Sequence, residues 1–185
     1  MNLVLTKNFY SWMRTVLLGT STNITGSTSS TSGLKGHVTM LGDMTDVTGT
    51  THKQLTYNAY LDQLATLCYW YPSYPEKGIY FSVGSDNITA TEDDYNLKNG
   101  YLVGTDFSVV HRPISNAQIV NGKAVLTFNV TFTAINDITI GEIGMFKEQY
   151  YSTAFVKFLF GRIALDTRIE LGAGESATFQ VSIEI

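Results

Sequence analysis

The chain has 185 residues, enough to bury one proper core, so a single domain with a smaller accessory region is expected. Only 15% of residues are charged against 44% hydrophobic, the net charge is −4, and the twelve Lys and Arg are spread without a cluster. The electrostatic footprint of a nucleic-acid binder is therefore missing, and no apolar run approaches a membrane span. Near the start, Val16-Leu17-Leu18 is too short for the core of a secretion signal, so no cleaved peptide is expected. Cys68 is the single cysteine, which excludes a disulfide within the chain and a multi-cysteine zinc site. It reads as a small buried apolar residue. Low charge with many Thr, Ser, Gly and Tyr suits a β-rich protein whose uncharged polar surface is easily buried in an assembly.

In chain order, residues 6–18 read as a short helix. Thr6 is placed to cap it, and Phe9, Trp12, Met13, Val16 and Leu17 recur at helical spacing before Gly19 ends it. Phe9 and Trp12 either pack on the chain's own sheet or dock onto a neighbouring subunit. Residues 19–33 are almost entirely Ser, Thr, Gly and Asn, with Ile24 the lone apolar exception, and cannot bury enough apolar surface to fix themselves. Residues 19–52 are thus read as a long loop or an extended arm ordered by a partner, with a short strand over His37–Leu41.

Residues 53–70 read as a second helix, with Leu55, Tyr60, Leu61, Leu64, Leu67 and Cys68 on one broad face. Tyr69-Trp70-Tyr71-Pro72-Ser73-Tyr74-Pro75 then breaks it as a rigid connector. Tyr69, Trp70, Tyr71 and Tyr74 form either an aromatic lid over the core or a stacking surface for a glycan.

Beyond residue 78 strands dominate. Ile79–Val83 lies between Gly78 and Gly84. Thr91–Leu97 reads as one helical turn, with Thr91 as N-cap and Asp94 three residues later in a capping-box-like position. A calcium site is the rival there, but the spacing of the twelve-residue calcium loop is absent. Leu102-Val103 and Phe107–Val110 suggest further strands. Lys123–Phe132 alternates with a period of two after the hairpin signal Asn121-Gly122. Ile138–Phe146, Phe155–Leu165 and Ala177–Ile185 complete the set. The expected fold is mainly β: an antiparallel β-sandwich over 78–185, preceded by residues 1–77 as short helices and a Ser/Thr/Gly-rich arm serving assembly.

Two charges interrupt apolar runs. By simple alternation Glu142 shares a face with Ile138, Ile140 and Phe146, and Arg162 with Phe158 and Phe160. Unpaired burial of a charge costs several kcal/mol, roughly. The two are therefore expected to form a structural ion pair across neighbouring strands, or else to face a partner subunit. Catalytic readings are poor. His37, His52 and His111 are scattered without metal-ligand spacing, and neither a Gly-x-Ser-x-Gly elbow nor a phosphate-binding glycine loop occurs. A glycan hydrolase needs two carboxylates facing one cleft; Asp93 and Asp94 sit where a cap explains them, and a pair elsewhere has no local support. No catalytic residue, metal or cofactor is expected. Asn23-Ile24-Thr25, Asn87-Ile88-Thr89 and Asn129-Val130-Thr131 match glycosylation acceptors at the level a Thr-rich chain gives by chance.

Five of these segments stand in a familiar order. They are Tyr80-Phe81-Ser82-Val83-Gly84, Thr91 to Leu97, Glu142-Ile143-Gly144-Met145-Phe146, Phe158 to Arg162, and Gly174 to Ile185. Residues 78–185 thereby resemble a family of small phage virion proteins found as tail, collar or head-surface components. Ser85-Asp86 stands where that family often repeats Gly-Thr. The resemblance implies a non-enzymatic structural protein that assembles in the bacterial cytoplasm, is carried in the virion, and binds other virion proteins as a homo-oligomer. The rival reading is a carbohydrate-binding host-attachment module using Tyr69 to Tyr74.

Overall fold

Long alternating and apolar runs separated by turn residues can bury one face of each strand only by stacking sheets. A computed structural model describes residues 3–18, 23–28, 35–39, 44–46, 51–52, 79–111, 116–151 and 154–185. The elements are β1 (Val4–Leu5), α1 (Lys7–Leu18), β2 (Asn23–Thr28), β3 (Lys35–Thr39), β4 (Met44–Asp46), β5 (Thr51–His52), β6 (Ile79–Gly84), β7 (Phe107–His111), β8 (Asn116–Val120), β9 (Lys123–Ala134), β10 (Ile138–Tyr151), β11 (Ala154–Leu171) and β12 (Ser176–Glu184). They form two antiparallel sheets. The larger runs β5-β4-β3-β2-β11-β10-β6, with β1 also on β11. The smaller runs β12-β9-β7, with β8 also on β9. The fold is mainly β and sandwich-like.

The smaller sheet follows directly from the sequence pattern. Asn121 and Gly122 both take positive φ, 50° and 79°, which is the twist a two-residue hairpin needs, and they join Val120 to its partner Lys123. The pairing of β9 with β12 runs without a register shift from Thr133↔Ser176 to Val125↔Glu184. Phe128, Val130, Phe132, Phe179, Val181 and Ile183 therefore all point inward. There they meet Phe81, Val83, Ile143, Met145, Phe158 and Phe160 of the larger sheet in one apolar core. Phe81 touches Phe128 across the two sheets, with ring centres 5.4 Å apart. Phe132 packs on both Phe107 and Phe179.

The larger sheet departs from simple alternation. Ile140 pairs Ile169 but Glu142 pairs Ala164, so β11 bulges opposite Gly141. Met145 pairs Gly161 but Phe146 pairs Leu159, so β11 bulges again at Phe160. Each bulge moves the following side chains to the other face. Glu142 therefore does not share a face with Ile138 and Ile140, nor Arg162 with Phe158 and Phe160. Those four apolar residues line the main core. The two charges lie on the opposite face of the sheet. There Tyr80, Leu97, Phe146 and Leu159 form a second, smaller cluster.

Two expectations for residues 1–77 change. The described parts of 19–52 are strands β2 to β5, and β2 adds to the larger sheet through Thr28↔Val156 and Ser27↔Lys157. Pairing there rests on main-chain hydrogen bonds, which a Thr-rich chain makes without an apolar face. With β1 also on β11, the described parts of 1–77 continue the sandwich rather than stand apart from it. The helix expected over 53–70 lies outside the described residues, as does Cys68.

Phe9 and Trp12 are buried, both to 1% exposure, with ring centres 5.8 and 5.1 Å from that of Phe160. They hold α1 against its own sheet, so neither is a contact for another subunit. Tyr10, on the other side of α1, is exposed. The Thr6 carbonyl accepts the amide of Tyr10 as the helix begins, and the Thr6 hydroxyl donates to the carbonyl of Leu159 at 2.5 Å. Because Phe160 supports both rings, Phe160→Ala is expected to lower the unfolding free energy by about 3–5 kcal/mol, as read from urea titration followed by circular dichroism.

Candidate functional site

Glycines inside a strand usually mark a bulge or a close backbone approach, and Gly141 and Gly84 here mark the latter. A Cβ on Gly141 would lie 2.5 Å from the Ser85 carbonyl oxygen and 2.7 Å from that of Asp86. A Cβ on Gly84 would lie 2.5 Å from the Asn99 carbonyl oxygen and would also strike Glu142 Oε1. The missing side chains let the connection 85–100 lie directly on the outer face of the larger sheet. Leu97 anchors it in the cluster with Tyr80, Phe146 and Leu159.

At the centre of that contact is Arg162, fully buried. Its Nη1 donates to Glu142 Oε2 at 2.8 Å and its Nε to Asp94 Oδ2 at 2.7 Å. Its Nη2 donates to the carbonyls of Ile88 at 2.7 Å and Thr89 at 3.0 Å. A planar fork of donors fits such divergent acceptors where an ammonium would not. Glu142, also fully buried, accepts the amides of Lys98 at 3.1 Å and Asn99 at 2.9 Å. Asp94 accepts the Thr91 amide at 3.0 Å, and its Oδ1 lies 2.8 Å from Lys98 Nζ. The guanidinium and both carboxylates thus each bind backbone or side chain of the connection 85–100.

The sequence-based sites fall as follows. Glu142 and Arg162 meet on neighbouring strands β10 and β11, offset by one pair on the same face. Thr91 and Asp94 do not cap a helix: residues 91–97 form a turn at Glu92-Asp93, and the Asp94 amide bonds the Thr91 carbonyl at 3.2 Å. The capping-box pattern is there as a local loop, but Asp94 turns inward to the guanidinium, so no helical turn follows. That same turn was the calcium candidate, and its buried carboxylate is occupied by Arg162, Lys98 and an amide. Asp94 as a partner of Arg162 was missed, since nothing local to Asp94 points 68 residues along the chain. The signal available was Gly141 and Gly144 flanking Glu142, which announce a close approach from elsewhere. Tyr69, Trp70, Tyr71 and Tyr74 lie outside the described residues.

Burial alone would push the Asp94 carboxyl up. The Lys98 ammonium, the Thr91 amide and the Arg162 guanidinium outweigh it and hold the pKa at about 2, below the ordinary 3.8. At the start of α1, the Lys7 amide donates to the Glu92 carbonyl at 2.8 Å, and Lys7 Nζ pairs with Asp93, which raises the lysine pKa. The same turn is thereby tied to the helix as well as to the sheet.

A cleft of about 410 Å³ lies beside the latch that Arg162, Glu142 and Asp94 form, lined by Val4, Asn87, Thr89, Ala90 and residues 163–166 of β11. Among the described residues that line it, Asp166 supplies the only carboxylate. Among the described residues no three His, Cys, Asp or Glu side chains group as a metal site, and no helix is long and apolar enough to cross a membrane. Comparison with protein-family models, with characterised proteins and with solved structures found no match.

Two outcomes follow for the latch. The depressed Asp94 pKa means stability that is present above about pH 4 and lost as the pH falls through about 2, amounting to about 2 kcal/mol. Denaturant titrations from pH 6 down to pH 2 are expected to show this loss in the native chain and not in Asp94→Asn. Arg162→Met, which strands two buried carboxylates, is expected to cost about 3–5 kcal/mol at pH 7. Arg162→Lys is expected to recover only part of that by the same titration, because one ammonium cannot serve acceptors on three sides.

Proposed function

We propose that the chain is a non-enzymatic structural protein of a phage particle, built into the tail, the collar or the head surface, where it binds copies of itself and other virion proteins. The observation that carries this reading is a convergence in space. The segments that resemble the virion family lie far apart in sequence, yet Gly84, Asp94, Glu142 and Arg162 from four of them meet in one buried latch. A motif set that ends in a buried ionic tie supports a structural part for these segments. Its charged groups are taken up by one another and by the connection 85–100, and do not line the neighbouring cleft. Among the described residues that cleft offers one exposed carboxylate, whereas glycan hydrolysis takes two.

Low overall charge supports the same reading, since an assembly subunit must desolvate much of its surface. The test is quantitative mass spectrometry of gradient-purified particles from the phage that encodes the chain. The reading expects the chain in a fixed ratio to the other virion proteins. A chain present in the lysate and absent from the particles would contradict it.

A further inference from the structure

Among the described residues, the outer face of the smaller sheet is unusual for a solvated surface, because its body carries no charge. From one end it presents Ser176, Thr133 and Ser108, then Thr178, Thr131 and Val110, then Gln180 and Asn129, then Ser182, Thr127 and Asn116. Among the described residues of these strands, charge enters at the far end, where Lys123 and Glu184 pair with each other. Most of these side chains are exposed, Val110 to 64%. The hydroxyls largely satisfy one another. Thr131 and Thr178 are 2.8 Å apart, Thr133 and Ser176 2.7 Å, and Thr127 and Ser182 3.4 Å. No register shift or bulge disturbs β9 against β12, so the surface is regular.

We propose that this face is an interface between two copies of the chain, docked face to face about a two-fold axis. The inference rests on the assembly reading above and specifies which surface serves it. Three observations select a second copy as the occupant. The chain is acidic, at −4, so two copies repel, and a neutral face is where like molecules can approach without juxtaposing like charges. Hydroxyls already paired within the sheet lose little when water leaves, while offering nothing to a charged partner such as nucleic acid or a basic peptide. The size is also right for a modest homotypic contact. Three strands at ~4.8 Å spacing and nine residues at ~3.4 Å project ~400 Å² per copy, on the order of 1,000 Å² across the pair once side-chain relief is counted, the lower bound of a specific interface.

Sedimentation velocity of the full chain at about 1 to 300 μM tests this. The native chain is expected to show reversible dimerisation within that range. Thr131→Lys with Thr178→Lys places four ammonium groups in the contact and is expected to weaken the dimer by about 100-fold, with unchanged circular dichroism and melting temperature. Asn129→Asp, which keeps the shape of the side chain, is a second variant expected to weaken it in the same direction should the double lysine variant fold poorly. A native chain that stays monomeric throughout overturns the proposal. So does a dimer that either folded variant leaves untouched. The virion reading fails separately: a chain found in particles yet monomeric in solution sinks only the interface, and a dimer formed through this face but absent from particles sinks only the virion role.

Discussion

A buried guanidinium is expensive, and it persists only where every direction around it is answered. Arg162 sits at 0% exposure with two carboxylates and two backbone carbonyls around it. That one constraint sets much of the rest. It requires Glu142 on the neighbouring strand, Asp94 from a distant turn, and a connection that crosses the sheet close enough to offer its carbonyls. The close crossing in turn requires glycine at 84 and 141. A well-packed apolar replacement of such a cluster is often equal or better in stability, so its value lies elsewhere. Here it ties β10 to β11 and joins both to residues 85–100.

The two bulges in β11 make this arrangement reachable. A strand that alternated strictly from Phe158 onward would direct Arg162 into the main core with Phe160. The bulge at Phe160 lets three bulky residues, Phe158, Phe160 and Ile163, stay inside while Arg162 turns outward. Gly141, opposite the other bulge, does the same for Glu142 after Ile138 and Ile140. The sheet thus uses its inner face for sandwich packing and its outer face to bind a long connection. The outer face of the smaller sheet, among the described residues, is regular along β9 and β12.

Much of this was legible in the residues. Alternation in Lys123–Phe132 and Ala177–Ile185, the Asn121-Gly122 turn and the apolar run at 155–165 point to a mainly β antiparallel fold. The pairing of Glu142 with Arg162 follows from the cost of lone buried charge. Their faces do not follow, because period-two reasoning has no means of seeing a bulge. The role of Asp94 does not follow either, since a capping pattern is local, whereas its partner Arg162 is set by tertiary packing. The Ser/Thr-rich segment misleads for a related reason: composition reports the ability to bury apolar area, while β2 and β3 gain from main-chain pairing that composition does not register. Phe9 and Trp12 were readable as an amphipathic face, and only the position of Phe160 decides that the face turns inward.

If the buried tie organises this face, it holds residues 85–100 to the sheet as firmly as a strand. Native-state hydrogen exchange reads it most directly, at the amides of Lys98 and Asn99, which donate to Glu142. Exchange as slow as that of the β9 and β12 core amides, governed by global unfolding, is the result expected. Exchange at the rate of an open loop, with the core amides still protected, would show that the tie does not hold this connection.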